Sequence, residues 1–431
     1  MKFIITFIII LFASLDLPAQ NYWQETLSPT TLNLNNVFFI NNNSGWIAGD
    51  SGFIARTNNA GLNWTVQSTG ISEQIQDFYF INERLGWAIA WEIYPDSNQF
   101  LGTIILKTTN GGDNWTSEFY SVPNIFMKTV YFIDSVKGFL GGAPLTIVYT
   151  TNGGERWFPS DTDTSLIVGF PVENLKFVDS LNGYACGGFR DIAGCMWRTS
   201  NGGYNWRGTI VGPEPLNDLY IFSETKAIAA GGDFEYGSST VRTTNGGLNW
   251  LYDTLGTFGV ASAIDFRTPY NGWIALGIAQ KFAYSNDSGK SWTTVYTPDS
   301  IPVFDLNFTD SIHGWAVGYD GIIFKYNPDK SDISNSLNNI YNTPDKITLY
   351  QNYPNPFNPE TNISFDLKKS GIVSLKIFDV SGKEISALLN NFHTAGKYSV
   401  KFSGIDFPSG IYFYEVSSDG FLQTRKMILL K

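Results

Sequence analysis

Short apolar runs separated by polar turns recur along most of the chain, and their length predicts β-strands rather than helices. In the first group, strands are predicted near Val37–Ile40, Trp46–Gly49, Phe53–Thr57 and Trp64–Ser68. One motif recurs seven times: an apolar strand, a polar turn, and a second strand that begins with Gly followed by an aromatic residue. The fifth copy lacks the Gly-aromatic pair. The copies begin at Val37, Phe78, Val130, Leu175, Leu219, Ile264 and Leu306.

A second motif, an Asn- and Gly-rich turn followed by Trp, closes six of these groups. Its copies are Thr57–Trp64, Thr108–Trp115, Thr150–Trp157, Thr199–Trp206, Thr243–Trp250 and Ser285–Trp292. The Trp residues are spaced by 51, 42, 49, 44 and 42 residues. A period of about 40–50 residues with four strands per repeat is typical of a propeller blade. Residues 20–327 are therefore predicted to form a seven-bladed β-propeller.

The seventh group ends after Gly321–Lys325 without the fourth strand that the other groups have. The segment Asn21–Glu25 matches the Asn-x-Trp start of those fourth strands. We expect it to complete the last blade, because closing the ring in this way removes two exposed sheet edges.

The polar residue and the Trp of the second motif are predicted to be structural. Asn or Asp can hydrogen-bond the turn backbone, Gly supplies positive φ, and Trp packs between neighbouring sheets. An aromatic ligand-binding stripe is the alternative. The residues concerned are Asn59, Trp64, Asn110, Trp115, Asn152, Trp157, Asn201, Trp206, Asn245, Trp250, Asp287 and Trp292.

The Thr/Ser-x-Asn/Asp-x-Gly-x-x-Trp motif resembles the Asp-box (BNR) repeat of sialidases and other propellers. Ser285–Trp292 fits that repeat fully, and the other copies carry Asn at the acidic position. Over residues 21–327, the two motifs together resemble the repeats of photosystem II assembly and stability factors. That family engages a membrane-protein partner through a basic surface, whereas residues 20–339 here carry 17 basic and 30 acidic residues.

The whole chain has 39 acidic and 28 basic residues, a formal net charge of -11, which argues against nucleic-acid binding. Two His and two Cys leave little room for a zinc site or a Cys/His nucleophile pair. We expect no cofactor and no metal. Asp/Glu pairs without a surrounding motif leave a glycosidase open.

The amino-terminal 19 residues are predicted to be a signal peptide. Lys2 precedes the apolar run Phe3–Phe12, which is too short to span a bilayer, and Leu17–Ala19 offers a cleavage site. The mature chain would start at Gln20 and be exported, with no transmembrane segment. Cys186 and Cys195 flank a predicted loop, so export favours a cross-strand disulfide, with two free buried thiols as the alternative.

Variable loops on one face of the predicted ring are the candidate ligand-binding site. They lie opposite the Asn- and Gly-rich turns and combine aromatic with acidic side chains, which suits glycan or peptide recognition. A plain covering of the channel mouth is the alternative. The candidate residues are Trp91, Tyr94, Asp96, Phe189, Arg190, Asp191, Asp233, Phe234, Glu235 and Tyr236.

The chain after the repeats changes in composition. Residues 328–344 are rich in Asn, Ser and Asp and are predicted to be a linker. Residues 345–431 contain six strand-sized runs and are predicted to form a small Ig-like β-sandwich.

The segment Leu349–Ile363 closely resembles the opening of type A sorting domains of the type IX secretion system, and Ile377–Lys383, Pro408–Tyr414 and Thr424–Lys431 agree with it. The resemblance implies the type IX machinery as a partner and export through the periplasm across the outer membrane. The product would then be anchored to the cell surface or released. The motif residues are Asn352, Tyr353, Pro354, Asn355, Pro356, Phe357, Asn358 and Pro359.

These patterns favour a secreted, non-catalytic propeller that binds or scaffolds a glycan or protein. The rival hypotheses are a carbohydrate-active hydrolase working at the loop face, and an assembly factor for an envelope complex.

Overall fold

The computed structural model describes residues 22–93, 100–163, 169–327, 347–367, 370–379, 383–418 and 421–431. The chain divides into two compact units, Met1–Lys330 and Ser331–Lys431, and each has its own hydrophobic clusters. The predicted signal peptide 1–19 and linker 328–344 lie outside the described residues.

The first unit consists of short strands. Apart from the 3-10 turns Asp50–Gly52, Pro298–Ser300 and Tyr319–Gly321, the described regular structure is all strand, so the all-β prediction is confirmed. The strands are β1 (Trp23–Glu25), β2 (Leu34–Phe39), β3 (Gly45–Gly49), β4 (Ile54–Thr57), β5 (Thr65–Gln67), β6 (Ile75–Phe80), β7 (Gly86–Ile93), β8 (Phe100–Thr108), β9 (Thr116–Phe119), β10 (Phe126–Phe132), β11 (Gly138–Ala143), β12 (Thr146–Thr150), β13 (Phe158–Pro159), β14 (Asp161–Thr162), β15 (Val172–Phe177), β16 (Gly183–Phe189), β17 (Ala193–Thr199), β18 (Asn205–Gly212), β19 (Leu216–Ser223), β20 (Lys226–Asp233), β21 (Gly237–Thr243), β22 (Leu251–Thr254), β23 (Ala263–Phe266), β24 (Gly272–Ala275), β25 (Lys281–Ser285), β26 (Thr293–Tyr296), β27 (Val303–Phe308), β28 (Gly314–Gly318) and β29 (Ile323–Tyr326).

These strands form seven antiparallel sheets, numbered here in chain order. The first six are β2–β5, β6–β9, β10–β13, β15–β18, β19–β22 and β23–β26, and the seventh is β27–β29 with β1. The short β14 adds to the fourth sheet, parallel to β18. The first strand of each sheet contacts the first strand of the next, and β27 contacts β2, so the sheets surround a central channel.

The ring closes between the two ends of the unit. β1 pairs with β29, placing Trp23 opposite Tyr326. The Trp23 ring stacks on Phe282 of the sixth sheet at 5.1 Å between centroids and is fully buried. The seventh sheet thus takes its fourth strand from the other end of the chain.

The Gly-aromatic pair is explained by ring packing between sheets. Trp87 stacks on Phe132 of the next sheet at 3.4 Å between centroids, and its Nε1 donates to the carbonyl of Gly153 at 3.1 Å. A Cβ on Gly86 would lie 2.4 Å from the Phe80 ring. Glycine is therefore required where the aromatic ring that ends the first strand crosses the second strand.

The Asn- and Gly-rich turns share one hydrogen-bond pattern. In the first, Asn59 Oδ1 accepts the N–H of Asn63 at 3.0 Å, and Thr57 Oγ1 accepts the N–H of Gly61 at 3.0 Å. The five other copies repeat both bonds. Of the six Trp residues in this motif, only Trp206 is fully buried, and the others are partly exposed. The largest buried rings instead include second-strand residues such as Trp46.

A glycine also lies at or near the end of the second strand in five sheets. A Cβ on Gly318 would lie 2.0 Å from the carbonyl oxygen of Pro302 and 2.8 Å from the Cα of Val303. The backbone entering the first strand therefore crosses directly over this position. The equivalent residues, with Cβ positions 1.9 to 2.2 Å from a carbonyl, are Gly49, Gly142, Gly187 and Gly231.

The predicted disulfide between Cys186 and Cys195 is wrong for this structure, where both are free, buried thiols. Cys186 pairs with Met196, and Cys195 pairs with Gly187. Because paired residues share a face and successive residues alternate, the two cysteines point to opposite faces of the fourth sheet. Cys195 packs toward the third sheet and Cys186 toward the fifth.

Burial should make both thiols unreactive in the folded protein. Burial raises the pKa of Cys195 to about 12 and that of Cys186 well above its usual value, so neither forms the reactive thiolate at neutral pH. We expect a thiol reagent such as DTNB to label no cysteine in the native full-length chain and two in denaturant without reductant. Labelling of none in denaturant would show a disulfide and contradict the register.

The second unit contains two sheets around one hydrophobic cluster that includes Leu349, Phe365, Leu375 and Tyr414. Its sheets have the strand orders β30-β31-β34 and β33-β32-β35-β36. The strands are β30 (Ile347–Leu349), β31 (Glu360–Leu367), β32 (Gly371–Phe378), β33 (Glu384–His393), β34 (Gly396–Ser403), β35 (Gly410–Ser418) and β36 (Phe421–Leu429).

The Asn- and Pro-rich motif joins the start of this unit to its last strand. Phe357 is buried and exchanges backbone hydrogen bonds of 2.9 Å with Ile428 and Leu430. The buried Asn352 donates through Nδ2 to Thr361 Oγ1 at 2.9 Å. Tyr353, in contrast, is 81% exposed. The motif thus combines anchoring residues with one exposed ring.

Candidate binding site at the central channel

A ring of polar residues lines the channel on the first strands of the sheets. Six of them occupy the same position of their strands, beside a register shift that allows a β-bulge. The seventh, Asp265, lies two residues further along its strand. The residues are Asn36, Asp77, Thr129, Asn174, Asp218, Asp265 and Asp305. Together with neighbouring side chains they enclose a cavity of about 670 Å³.

The four aspartates of the ring join four of the seven pairs of neighbouring sheets. In every case Oδ1 accepts the N–H of the following residue. Oδ2 reaches across to the next sheet and accepts a backbone N–H at 2.7 or 2.8 Å. These bonds join Asp77 to Val130, Asp218 to Ile264, Asp265 to Phe308 and Asp305 to Val37.

Lys176 places a cation within this acidic ring. Its Nζ lies 2.8 Å from Asp218 Oδ1 and donates to the Leu219 carbonyl at 2.8 Å. Burial opposes the charged ammonium, but Asp218 and the other ring aspartates outweigh it and raise the pKa of Lys176. Burial raises the pKa of Asp77 to about 7, that of Asp265 to about 6 and that of Asp305 to about 8. The ring therefore holds protons near neutral pH.

These raised pKa values predict a protein that is more stable in mild acid. Unfolded aspartate titrates near about 3.9. The folded chain therefore holds protons on Asp77, Asp265 and Asp305 that the unfolded chain has lost, and stability falls as the pH rises through about 6 to 8. We expect a higher Tm at about pH 5 than at about pH 8, measured by Trp fluorescence.

The matched pair Asp305→Asn and Asp305→Ala tests the cause. Asp305 accepts the N–H groups of both Val37 and Leu306, and the Asn side chain keeps one acceptor oxygen, so this variant should retain one of the two bonds and reduce the pH dependence. The Ala variant loses both acceptors and should cost about 1–3 kcal/mol at all pH values, more than the Asn variant. An unchanged pH profile in Asp305→Asn would contradict this assignment.

One side of the channel carries a group of side chains from three successive sheets. Lys128 Nζ lies 2.8 Å from both carboxylate oxygens of Glu173 and 5.8 Å from the centroid of the Trp91 ring. Trp91 Nε1 donates to the Met127 carbonyl at 2.6 Å. Trp91, predicted as a ligand-binding residue, therefore lines the channel cavity beside a positioned ion pair.

The predicted residues from Phe189 to Tyr236 form a separate group on the loops of the fourth and fifth sheets. The Arg190 guanidinium carbon lies 5.6 Å from the centroid of the Phe234 ring, and Phe234 lies 6.0 Å from Phe258. Phe189 and Tyr236 are 51% and 63% exposed. Two neighbouring loops thus present aromatic rings to solvent around one cation.

The predicted acids of these loops have different environments. Asp233 is buried, and its Oδ1 accepts the N–H groups of Glu235 and Tyr236 at 2.9 and 2.7 Å, which fixes the turn. Asp191 is exposed at positive φ, and Glu235 is exposed. Tyr94 and Asp96 lie outside the described residues.

The polar ring is the feature that sequence reasoning missed. Its signal was a polar residue recurring at a corresponding position within an otherwise apolar strand, as in Ile75–Phe80 and Val303–Phe308. Among the described residues, no group of three or more His, Cys, Asp or Glu side chains could hold a metal ion.

Comparison with known proteins identifies the second unit. Residues 351–430 match the family model of the secretion system C-terminal sorting domain. The chain therefore carries the sorting domain of the type IX secretion system, which indicates a secreted protein of the outer cell surface. Within the described part of the chain, no helix is long and apolar enough to cross a membrane.

The first unit has relatives in sequence and in structure. A stretch of 75 residues is 33% identical to the photosystem II assembly lipoprotein Ycf48 of Synechocystis sp., covering 17% of this chain and 21% of that protein. The chain thus matches about a fifth of this relative's length.

Two solved structures share the fold of the chain. Ycf48 bound to a D1 peptide is similar with a TM-score of 0.56 and 18% identity, over 71% of this chain and 97% of that one. The GH74 xyloglucanase from Xanthomonas campestris is similar with a TM-score of 0.57 and 11% identity, over 94% and 75%. These identities establish the fold alone, a propeller-like arrangement of β-sheets.

Proposed function

We propose that the chain is a seven-bladed β-propeller that binds a partner at the cell surface without catalysing a reaction, followed by an Ig-like sorting sandwich. The observation that carries the proposal is how the channel carboxylates are used. All four ring aspartates accept backbone N–H groups from the neighbouring sheet, so they hold the ring together. The groups left for recognition are the Trp91 and Lys128 side and the Arg190 and Phe234 loops.

The chemistry of these groups suits an extended polar chain. An aromatic ring beside a Lys–Glu ion pair offers a stacking surface, donors and acceptors within a few ångströms. A peptide segment meets these groups with its own amides and side chains, and a glycan does so with hydroxyls. The Ycf48 structure with a D1 peptide is a precedent for peptide binding on this fold. We infer a protein segment as the first ligand class and a glycan as the second.

Arrays of random peptides and of microbial glycans, probed with the labelled full-length chain, test this function. Trp91→Ala and Lys128→Ala should each reduce the strongest signals at least tenfold. Tyr270→Ala is the matched control, because Tyr270 is an exposed ring on a turn at the opposite face. Equal binding by all four proteins, with unchanged circular dichroism, would contradict a channel-side site.

A hydrolase at the loop face is the second candidate, favoured by the exposed Glu235 beside Tyr236. Glu235 raises the pKa of the Tyr236 hydroxyl, so the two groups interact. Incubation with xyloglucan and other polysaccharides, followed by a reducing-sugar assay, separates the two proposals. Hydrolysis by the full chain that is lost in Glu235→Gln would overturn the non-catalytic proposal. Purification with one stoichiometric membrane protein would instead favour an assembly factor.

A further inference from the structure

Two buried carboxylates near the loop end of the fifth sheet each have an oxygen without a hydrogen-bond partner among the described residues, and a buried serine hydroxyl lies beside the Tyr252 hydroxyl. The carboxylate oxygens are Glu214 Oε2 and Asp233 Oδ2, and the serine is Ser239. Their residues are 2%, 2% and 1% exposed. A buried polar oxygen that has lost water without gaining a partner is costly, and a buried carboxylate oxygen more so.

The strand register places these groups on one side of the sheet. Ser239 pairs with Gly231, and Gly231 is two residues from Asp233, so Ser239 and Asp233 share a face. Val241 pairs with Tyr252 and is two residues from Ser239, which places the Tyr252 ring on that face as well. This face packs toward the fourth sheet.

Glu214 joins the group from the connection between the fourth and fifth sheets. Its Oε1 accepts the Tyr252 hydroxyl at 2.7 Å. Burial, Glu214 and the charge of Asp233 raise the pKa of Tyr252, and a hydrogen bond with Ser239 lowers it. Both carboxylates and the serine hydroxyl therefore act on the same Tyr252 hydroxyl. Two glycines of the fourth sheet, Gly194 and Gly212, lie against the Glu214 carbonyl and the Tyr252 ring, where a Cβ would not fit.

The charge of these two carboxylates is not neutralised by a described side chain. The ion pairs in the described parts of the chain include neither Glu214 nor Asp233. The Arg190 guanidinium nearby packs over the Phe234 ring. Two buried acids with unpartnered oxygens therefore call for a positive group from outside the chain.

We propose that Glu214, Asp233 and Ser239 bind one calcium ion between the fourth and fifth sheets. Ca²⁺ takes oxygen ligands in flexible geometry, and the available atoms are carboxylate and hydroxyl oxygens. Zinc and copper favour nitrogen or sulfur ligands, which this group lacks. With only two carboxylates the site is weakly charged, so we expect a Kd of about 10⁻⁴–10⁻³ M, the range of extracellular calcium modules.

The ion would order the aromatic loop above it. Asp233 fixes the turn through Oδ1 and would bind the ion through Oδ2. One carboxylate would thus connect the ion to the turn. The loop that follows carries Phe234 and Tyr236, two of the exposed rings. Calcium would thus order the loop whose aromatic rings the proposed function uses. The ion site does not depend on whether those rings bind a partner.

Terbium, a luminescent substitute for calcium, tests the site in the full-length chain. Tyr and Trp excitation should give saturable Tb³⁺ emission that Ca²⁺ reverses, and Ca²⁺ at a few millimolar should raise the Tm. Glu214→Gln and Asp233→Asn keep the oxygens that accept from Tyr252 and from the turn, and each should weaken binding at least tenfold. Glu235→Gln removes the same charge from an exposed acid two residues from Asp233 and should change binding less than twofold.

Either of two results would overturn the proposal. One is a wild-type chain with no Ca²⁺-reversible emission and no rise in Tm. The other is binding in Glu214→Gln and Asp233→Asn that equals binding in Glu235→Gln. If either variant fails to fold by circular dichroism, Ser239→Ala and the wild-type metal content after dialysis against Ca²⁺ decide the matter. Less than 0.1 equivalent of bound calcium (about one site in ten) would also overturn it.

Discussion

Removal of residues 345–431 will leave the protein in the periplasm, whereas the full-length chain will reach the cell surface. The deleted part contains the matched sorting domain, residues 351–430. Its motif is built into the fold of that unit, because Phe357 exchanges hydrogen bonds with the last strand and Asn352 is buried. Loss of the unit removes the signal that the type IX machinery reads, so surface delivery should fall to background. Cell fractionation and protease treatment of intact cells measure it.

The truncated chain must be shown to fold, and tryptophan provides the test. All 13 Trp residues lie between residues 23 and 315, so Trp fluorescence reports on the propeller unit alone. The truncate should keep the emission spectrum and Tm of the full chain. A fusion of residues 345–431 to a periplasmic fluorescent reporter should be exported. Surface delivery of the truncate at the full-length level would refute the role of the domain.

Substitution Gly318→Ala will destabilise the propeller more than any surface change. The new Cβ would lie 2.0 Å from the Pro302 carbonyl oxygen and 2.8 Å from the Val303 Cα. Both neighbours are backbone, so relief requires the seventh sheet to move apart where its first two strands pair. We expect a loss of about 3 kcal/mol, the upper part of the range for overpacking. The readout is chemical unfolding followed by Trp fluorescence.

The matched control is Gly256→Ala. Gly256 has a φ of 63° but no atom within 4 Å of its Cβ position. This variant should lose only the cost of a left-handed residue, about 1 kcal/mol. A larger loss in the control than in Gly318→Ala would show that φ, and not the close backbone approach, determines the requirement for glycine.

The repeated architecture could be predicted because the same residue types make the same packing contacts in each repeat. The Gly-aromatic pair recurs because the aromatic ring that ends the first strand packs against a glycine of the second strand. The Asn- and Gly-rich turns recur because each closes the hairpin between the third and fourth strands. Periodicity exposes such features. The glycine near the end of the second strand also recurs, but its cause is the close approach of the backbone that enters the first strand, and the sequence pattern does not show that approach.

The polar ring and the cysteines required knowledge of the register. Asp77 and Asp305 lie in apolar strands, and only the placement of the next sheet shows that each carboxylate meets a backbone N–H there. Cys186 and Cys195 are close along a hairpin, but a shift of one residue in pairing decides whether they share a face. The sequence does not show which of the two registers forms, because the register depends on the conformation of the connecting loop.

Closure of the ring by β1 means that the propeller can be completed only by a chain that extends as far as β29. Trp23–Glu25 must find Phe324–Tyr326, some 300 residues later in synthesis. The entropic cost of closing so long a loop grows only logarithmically with its length, so it does not prevent the pairing. The pairing cannot form before β29 has been synthesised. Until then, the edge of β29 stays unpaired and Trp23 lacks its pocket. A chain that ends before β29 would leave β1 and Trp23 without their partners, so a prematurely terminated product would keep an open ring.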